Sequence, residues 1–131
     1  MKKLLAIATA LVFAASTSFA GEFPDISIKE LDKAIKGGKV TVIDVNSPNS
    51  FARAHIPGAI SFAKAGKSLK SKLPKDKDAL IVAYCGGPSC SAYKRAAKAA
   101  EKLGYTNVKH LSAGISGWKS AKMNTEAAKA N

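Results

Sequence analysis

The chain has 131 residues, 21 of them basic and 9 acidic, with two cysteines and two histidines. This length provides one small domain with its own core and excludes two domains. Two cysteines are too few for a disulfide scaffold, and neither His55 nor His110 stands at metal-ligand spacing from a cysteine, so we expect no metal site and no cofactor.

The N-terminus has the pattern of a cleaved export signal. Lys2 and Lys3 precede an apolar run over residues 4–15, and Ala20 ends a stretch with small residues at the positions that a signal peptidase reads. The run is shorter than the roughly 20 residues of a membrane-spanning helix. We therefore predict a signal peptide over residues 1–20, a periplasmic or secreted protein, and no transmembrane segment after cleavage.

The mature chain, residues 21–131, keeps 19 basic residues against 9 acidic ones, a net charge of +10. This charge favours small oxyanions or an acidic protein as partners. The lysines are spread from Lys29 to Lys129 and do not cluster with aromatic residues. We therefore interpret them mainly as a solvated surface and do not predict nucleic acid as a partner.

Helix and strand patterns alternate along the mature chain. In the first half, we predict an edge strand over 23–26, a helix over 28–35 with Ser27 and Glu30 as a capping box, and a buried strand over 40–45. The second half predicts a short helix over 50–54, a brief strand near residue 60, one helical turn over 68–73, strands over 80–84 and 107–111, a helix over 91–103, and a last helix with Trp118 inward. Past Met123 we expect a frayed tail.

Both cysteines lie in the stretch Tyr84-Cys85-Gly86-Gly87-Pro88-Ser89-Cys90-Ser91. The flanking patterns predict a strand, a tight loop and a helix, which together form an anion cradle from backbone N–H groups and the helix dipole. A cysteine that opens the cradle has its thiolate stabilised, so Cys85 is the candidate nucleophile. The alternative is a buried cysteine at a strand end beside an ordinary glycine turn.

The alternation of strands and helices predicts an α/β fold with a mainly parallel sheet. In such sheets, ligands bind beyond the carboxyl ends of the strands. Cys85 follows one of these ends.

Four stretches carry a resemblance to a known family, in the same order, over about residues 26–123. They are Val42-Ile43-Asp44-Val45, His55-Ile56-Pro57-Gly58-Ala59-Ile60, the loop that Tyr84-Cys85 opens and Ser91 closes, and Leu111 with Gly114-Ile115-Ser116-Gly117-Trp118. The chain thereby resembles the rhodanese family of sulfurtransferases. The resemblance implies an α/β, three-layer fold with a mainly parallel central sheet of about five strands and helices on both faces.

The resemblance also implies a chemistry. Cys85 takes a sulfane sulfur from an anionic donor such as thiosulfate or polysulfide, becomes a persulfide, and passes the sulfur to an acceptor such as cyanide or a thiol. The amides of the loop stabilise the negative charge on the terminal sulfur. The residues that this role assigns to substrate binding are Gly86, Gly87, Ser89, Cys90 and Ser91.

The loop departs from the family pattern at several positions. Active members often carry Arg at the position of Gly86, and Arg, Lys or Thr at that of Cys90. Pro88 stands where Gly is common and removes one N–H donor, and Asn46 replaces a common Arg after the first core strand. A loop without its own cation is expected to bind thiosulfate weakly.

Cys90 supports a further hypothesis, that of a resolving or protective thiol which attacks the Cys85 persulfide or pairs with Cys85, provided that their Cα atoms come within about 7 Å. The alternative is a small residue that only fills a loop position. Two other functions therefore stay open: a thiol-disulfide redox switch that uses Cys85 and Cys90, and a non-catalytic binding module. A phosphatase is disfavoured because Ser91 stands where related cysteine phosphatases carry an arginine.

Overall fold

The computed structural model describes residues 23–128, so the predicted signal peptide lies outside the described residues. Strands and helices alternate as predicted. The strands are β1 Thr41–Asp44, β2 Ile60–Ser61, β3 Ile81–Tyr84 and β4 Val108–His110. The helices are α1 Ile28–Lys36, α2 Pro48–Arg53, α3 Phe62–Ala65, α4 Leu69–Lys72, α5 Tyr93–Lys102 and α6 Gly114–Ser120, with a 3-10 turn over Gly66–Ser68.

The four strands form one parallel sheet in the order β2-β1-β3-β4. This confirms the α/β class and the parallel sheet. Asp44 pairs in register with Tyr84, so the ends of the two central strands meet side by side. Because all strands run the same way, their carboxyl ends and the loops that follow lie at one edge of the sheet.

The described chain has four strands where the prediction was about five. The predicted edge strand over 23–26 is reduced to a single parallel bridge between Asp25 and His110. The amide of Ile26 donates to the carbonyl of His110 at 2.9 Å, and the amide of His110 donates to the carbonyl of Pro24 at 2.8 Å. Pairing extends no further because Pro24 has no N–H and Ser27 already caps α1.

The sheet separates two hydrophobic clusters. The first packs α5 and the short helices against one face, and the second packs α1 and α6 against the other. The first includes Ile43, Ala65, Leu69, Ala83, Ala96 and Ala97, and the second includes Leu31, Val42, Val82, Leu111 and Trp118. Alanines on the buried stripe of α5 let this helix approach the sheet closely. Trp118 is 1% exposed, which confirms that it points inward.

Two segments differ from the sequence prediction, the connection over 62–72 and the C-terminal stretch over 124–128. The stretch over 62–72 contains two short helices and a 3-10 turn rather than the one predicted turn. The predicted frayed tail is wrong for residues 124–128, because His55 and Glu126 exchange two backbone hydrogen bonds of 2.9 Å, and the amide of Ala128 donates to the carbonyl of Ala52.

No described helix combines the length and apolarity needed to cross a bilayer.

Candidate functional site

Cys85 directly follows β3, at the carboxyl edge of the sheet where the prediction placed it. Its side chain is buried, with only 1% of the residue exposed. Cys90 lies five residues further on and is partly exposed. The strand-loop-helix order predicted around the two cysteines is therefore the one observed.

Cys85 and Cys90 are joined by a disulfide, with their Cα atoms 6.3 Å apart. This separation lies within the limit of about 7 Å that a disulfide between the two cysteines requires. The disulfide closes the loop and joins the buried residue Cys85 to the partly exposed residue Cys90. The cysteines in this structure are thus an oxidised dithiol pair.

The loop also supplies unused backbone donors. In the part of the chain that the structure describes, no hydrogen bond is donated by the amides of Gly86, Gly87, Ser89 or Ser91. The amide of Cys90 donates to the carbonyl of Gly87 at 3.1 Å, and Pro88 has no N–H. Only some of the loop amides are therefore free to bind an anion. Cys90 contributes a side chain to the site but no free N–H.

The helix after the loop begins later than predicted. It starts at Tyr93 rather than Ser91, with Ala92 as an N-cap that makes no side-chain hydrogen bond. The amides of Lys94 and Arg95 donate to carbonyls three residues back, those of Ser91 and Ala92. Because the turn at Gly87 and the disulfide hold the chain in a loop up to Cys90, the helix has no room to start earlier.

The first residues of α6 hold the cysteine loop by backbone hydrogen bonds. The amide of Ile115 donates to the carbonyl of Cys85, and the amide of Ser116 donates to that of Gly86, each at 3.0 Å. Gly114 has a φ of +62°, and a Cβ at this position would lie 2.6 Å from Gly86 C and Gly87 N. The sequence pattern alone did not reveal this role of Gly114, although the position of the Gly114-Ile115-Ser116-Gly117 run after the last strand was the available signal.

Beneath the loop lies a buried hydrogen-bond network. The hydroxyl of Tyr84 donates to Oδ2 of Asp44 at 2.5 Å and accepts from the amide of Ile56 at 3.0 Å. Oδ1 of Asp44 accepts from the amide of Asn46 at 2.7 Å. Asp44 therefore holds the loop after β1, and Tyr84 is a partner of Asp44 that the sequence did not reveal. Burial, together with the adjacent Asp44 carboxylate, raises the pKa of Tyr84 well above its usual range.

The raised pKa of Tyr84 predicts a pH dependence of stability. The unfolded phenol ionises near pH 10, whereas the folded one keeps its proton, so this group's contribution is present below about pH 10 and is lost as the pH rises above that value. We expect the stability advantage of the wild type over Tyr84→Phe to shrink in alkali. Urea unfolding of both proteins on either side of pH 10 measures it, and a constant difference would contradict the assignment.

Two cavities flank the loop. One, of about 230 Å³, lies on the side of Gly86 and is lined by Asn46, Ser50, Arg53, Ala54, Gly86, Ile115 and Lys119. The other, of about 380 Å³, lies on the side of Cys90. Its wall consists of Phe23, Asp25, Pro88, Ser89, Cys90, Ser91, Tyr93, Lys94, His110 and Ser112. Three of the predicted substrate-binding residues, Ser89, Cys90 and Ser91, thus line one cavity, and Gly86 lines the other.

Each of the two histidines stacks on an aromatic ring. His55 is buried, stacks on Phe51 and donates from Nδ1 to its carbonyl at 2.7 Å. His110 stacks on Tyr93, with ring centroids 3.3 Å apart. Burial lowers the pKa of His110, and the nearby charges of Asp25 and Lys94 act in opposite directions. Across residues 23–128, no group of three or more His, Cys, Asp or Glu side chains is placed to hold a metal ion.

The sequence is similar to a known protein family and to individual proteins. A family model described as the rhodanese-like domain matches residues 27–121. An HTH-type transcriptional regulator of Mycobacterium tuberculosis is 35% identical over 97 residues, which cover 73% of this chain and 42% of that protein. A probable adenylyltransferase/sulfurtransferase of the same organism, MoeZ, is 34% identical over 112 residues, covering 82% of this chain and 27% of MoeZ. The chain therefore spans less than half the length of either relative.

Solved structures have the same fold. A Bacillus halodurans protein is 30% identical with a TM-score of 0.67, covering 79% of this chain and 77% of that one. A thiosulfate sulfurtransferase from Pseudomonas aeruginosa superposes with a TM-score of 0.64 at 24% identity, over 81% of this chain and 20% of that one. The matched family model covers the strand, loop and helix that carry both cysteines, and this chain belongs to the rhodanese-like domain family.

Proposed function

We propose that the protein is a sulfurtransferase that carries sulfane sulfur as a persulfide on Cys85. The observation that carries the proposal is the position of Cys85 at the end of β3, inside a loop whose amides at Gly86, Gly87, Ser89 and Ser91 have no acceptor among the described residues. Such donors stabilise first the thiolate and then the terminal sulfur of a persulfide. The similarity to MoeZ, named as a probable sulfurtransferase, supports the same class of activity.

In the proposed reaction, the reduced Cys85 thiolate attacks the outer sulfur of thiosulfate. The sulfur-sulfur bond of thiosulfate breaks, sulfite leaves with the bonding electron pair, and Cys85 retains the transferred sulfur. A thiol or cyanide then removes this sulfur and regenerates the thiolate. The Cys90 thiol is a resolving group, since its attack on Cys85 Sγ of the persulfide expels hydrosulfide and forms the Cys85–Cys90 disulfide.

The disulfide favours a second candidate function, a thiol-disulfide redox switch. Two cysteines whose Cα atoms lie 6.3 Å apart can cycle between dithiol and disulfide without large backbone movement. This function requires a reversible disulfide and no uptake of sulfur. The two candidates therefore differ in one measurable product.

The test is the intact mass of the protein, first reduced with a phosphine and desalted, and then treated with thiosulfate or polysulfide. We expect the wild type to gain one sulfur atom that reductant removes, and we expect Cys85→Ser to gain none. Cys90→Ser is the matched variant: it keeps the nucleophile, lacks the resolving thiol, and should hold the added sulfur for longer. A sulfur gain that survives in Cys85→Ser would overturn the assignment of the persulfide to Cys85. A wild type that only loses two protons, together with a Cys90→Ser variant that gains no sulfur, would overturn the proposal in favour of the switch.

We also propose that the protein acts after export, in the periplasm or outside the cell. The basis is the charged start, the apolar run over 4–15 and the small residues up to Ala20. Disulfides persist in such compartments. The mass of the exported protein tests this proposal: we expect a mature chain beginning at Gly21, and a mature chain beginning at Met1 would contradict it.

A further inference from the structure

The two cysteines of the disulfide are not equally accessible. Cys85 is 1% exposed, whereas Cys90 is partly exposed and lines the cavity of about 380 Å³. Cys85 does not line that cavity. A small molecule that enters this cavity from solvent therefore meets Cys90 before Cys85.

The leaving group favours the same direction of attack. When a thiolate attacks one sulfur of a disulfide, the other sulfur leaves as a thiolate, and a better stabilised thiolate leaves faster. Cys85 opens the loop that contains the unused amides, while Cys90 lies near its end and its own amide is already bonded to the carbonyl of Gly87. Attack on Cys90 therefore releases the thiolate that the loop stabilises better.

The charge on the cavity wall indicates the kind of thiol. Its charged side chains are Asp25 and Lys94, and Oδ1 of Asp25 accepts from the amide of Ser112 at 2.8 Å. Lys94 is half-buried, and the ion pairs found within residues 23–128, Lys36–Asp32 and His55–Glu126, do not include it. Among the described residues, Lys94 thus has no paired carboxylate, whereas the carboxylate of Asp25 already accepts from Ser112. Lys94, beside an aromatic wall of Phe23, Tyr93 and His110, is therefore the charged group that attracts a small molecule with a negative charge.

We propose that this cavity binds a small anionic thiol, which opens the disulfide by attack on Sγ of Cys90. The attacking thiolate forms a bond to Sγ of Cys90, the Cys85–Cys90 bond breaks, and Cys85 leaves with the electron pair. A second thiolate then attacks the sulfur of the bound thiol, which releases the small-molecule disulfide and leaves Cys90 reduced. The protein disulfide is thereby reduced by two electrons to the dithiol, and two small thiols are oxidised to one disulfide.

This inference deepens the proposed function, on which it rests, because it states how the oxidised site is returned to the thiolate that accepts sulfur. The experiment starts from the oxidised protein and uses no sulfur donor. It can therefore fail while the persulfide test succeeds, and the converse also holds.

The direction of attack can be read from the first products. Oxidised wild-type protein is mixed with reduced glutathione, quenched at successive short times with excess N-ethylmaleimide, and digested, and the modified positions are mapped by tandem mass spectrometry. We expect glutathione on Cys90 and maleimide on Cys85 at the earliest times. Glutathione first on Cys85, or a disulfide that glutathione does not open in the folded protein, would overturn the proposal.

The role of the cavity is tested by the charge of Lys94. We expect Lys94→Gln to slow opening by glutathione about threefold at low ionic strength, the effect of one unit charge a few ångströms away in a high dielectric. The matched control is Lys98→Gln, an exposed lysine one turn further along α5, which should leave the rate unchanged. With mercaptoethanol, whose attacking thiolate carries one negative charge where that of glutathione carries a net two, Lys94→Gln should slow opening less than it does with glutathione. Equal glutathione rates for Lys94→Gln and Lys98→Gln would place the thiol elsewhere.

Discussion

Gly114→Ala is expected to lower the free energy of unfolding by about 3 kcal/mol and to slow sulfur uptake by Cys85 about tenfold to a hundredfold. The added Cβ would lie 2.6 Å from Gly86 C and Gly87 N and 2.7 Å from the carbonyl oxygen of Cys85. All three atoms belong to backbone that cannot rotate away. Relief of the clash therefore has to separate α6 from the loop and to weaken the hydrogen bonds that Ile115 and Ser116 donate to it.

The matched control for this substitution is Gly58→Ala. Gly58 has a φ of +77°, and a Cβ there would have nothing within 4 Å. It therefore isolates the cost of a left-handed conformation, about 1 kcal/mol, without displacing the loop. Chemical denaturation measures the stabilities, and the intact-mass assay measures the rate of sulfur uptake. If Gly114→Ala behaved like Gly58→Ala in both measurements, the contact between α6 and the loop would not support the site.

Asp44→Ala is expected to lower the free energy of unfolding by about 3 kcal/mol. The carboxylate is fully buried and accepts hydrogen bonds from the hydroxyl of Tyr84 and the amide of Asn46. Its removal leaves both donors without an acceptor and opens a space between β1 and β3. The cost arises from two unsatisfied polar groups in addition to lost packing.

Tyr84→Phe is the comparison for Asp44→Ala, because it keeps the ring and removes only the hydroxyl group. We expect a smaller loss, about 1 to 2 kcal/mol. The double variant should be more stable than the sum of the two losses predicts, by about 1 kcal/mol, since each single change already breaks the same hydrogen bond. Strict additivity in urea denaturation would show that the two groups do not act as one network.

The alternation of helices and strands and the position of Cys85 could be predicted because they depend on local pattern. The apolar strand over Ile81–Tyr84, the two glycines after Cys85 and the apolar stripe of α5 lie next to one another in the chain. Each pattern is typical of one local structure. The fold class and the loop that carries the cysteines follow from these neighbours.

The features that the sequence did not reveal depend on contacts between distant residues. The pairing of Tyr84 with Asp44 follows from the register of β1 and β3. The ordered position of the C-terminal residues 124–128 follows from the pairing of Glu126 with His55. The tail looked frayed because its residues are small and polar, and such composition says nothing about a backbone partner. The late start of α5 likewise reflects the closed loop before it, since Ser91 is by itself a suitable N-cap.

The position of Trp118 on α6 provides an optical probe of the site. It is the one tryptophan in the sequence, its side chain is buried, and its Nε1 donates to the carbonyl of Asn124 at 2.7 Å. Intrinsic fluorescence excited at the indole band therefore comes from the helix that supports the loop from below. A red shift of emission reports the detachment of α6, whereas disulfide opening with unchanged emission shows that the loop reacts while the helix stays in place.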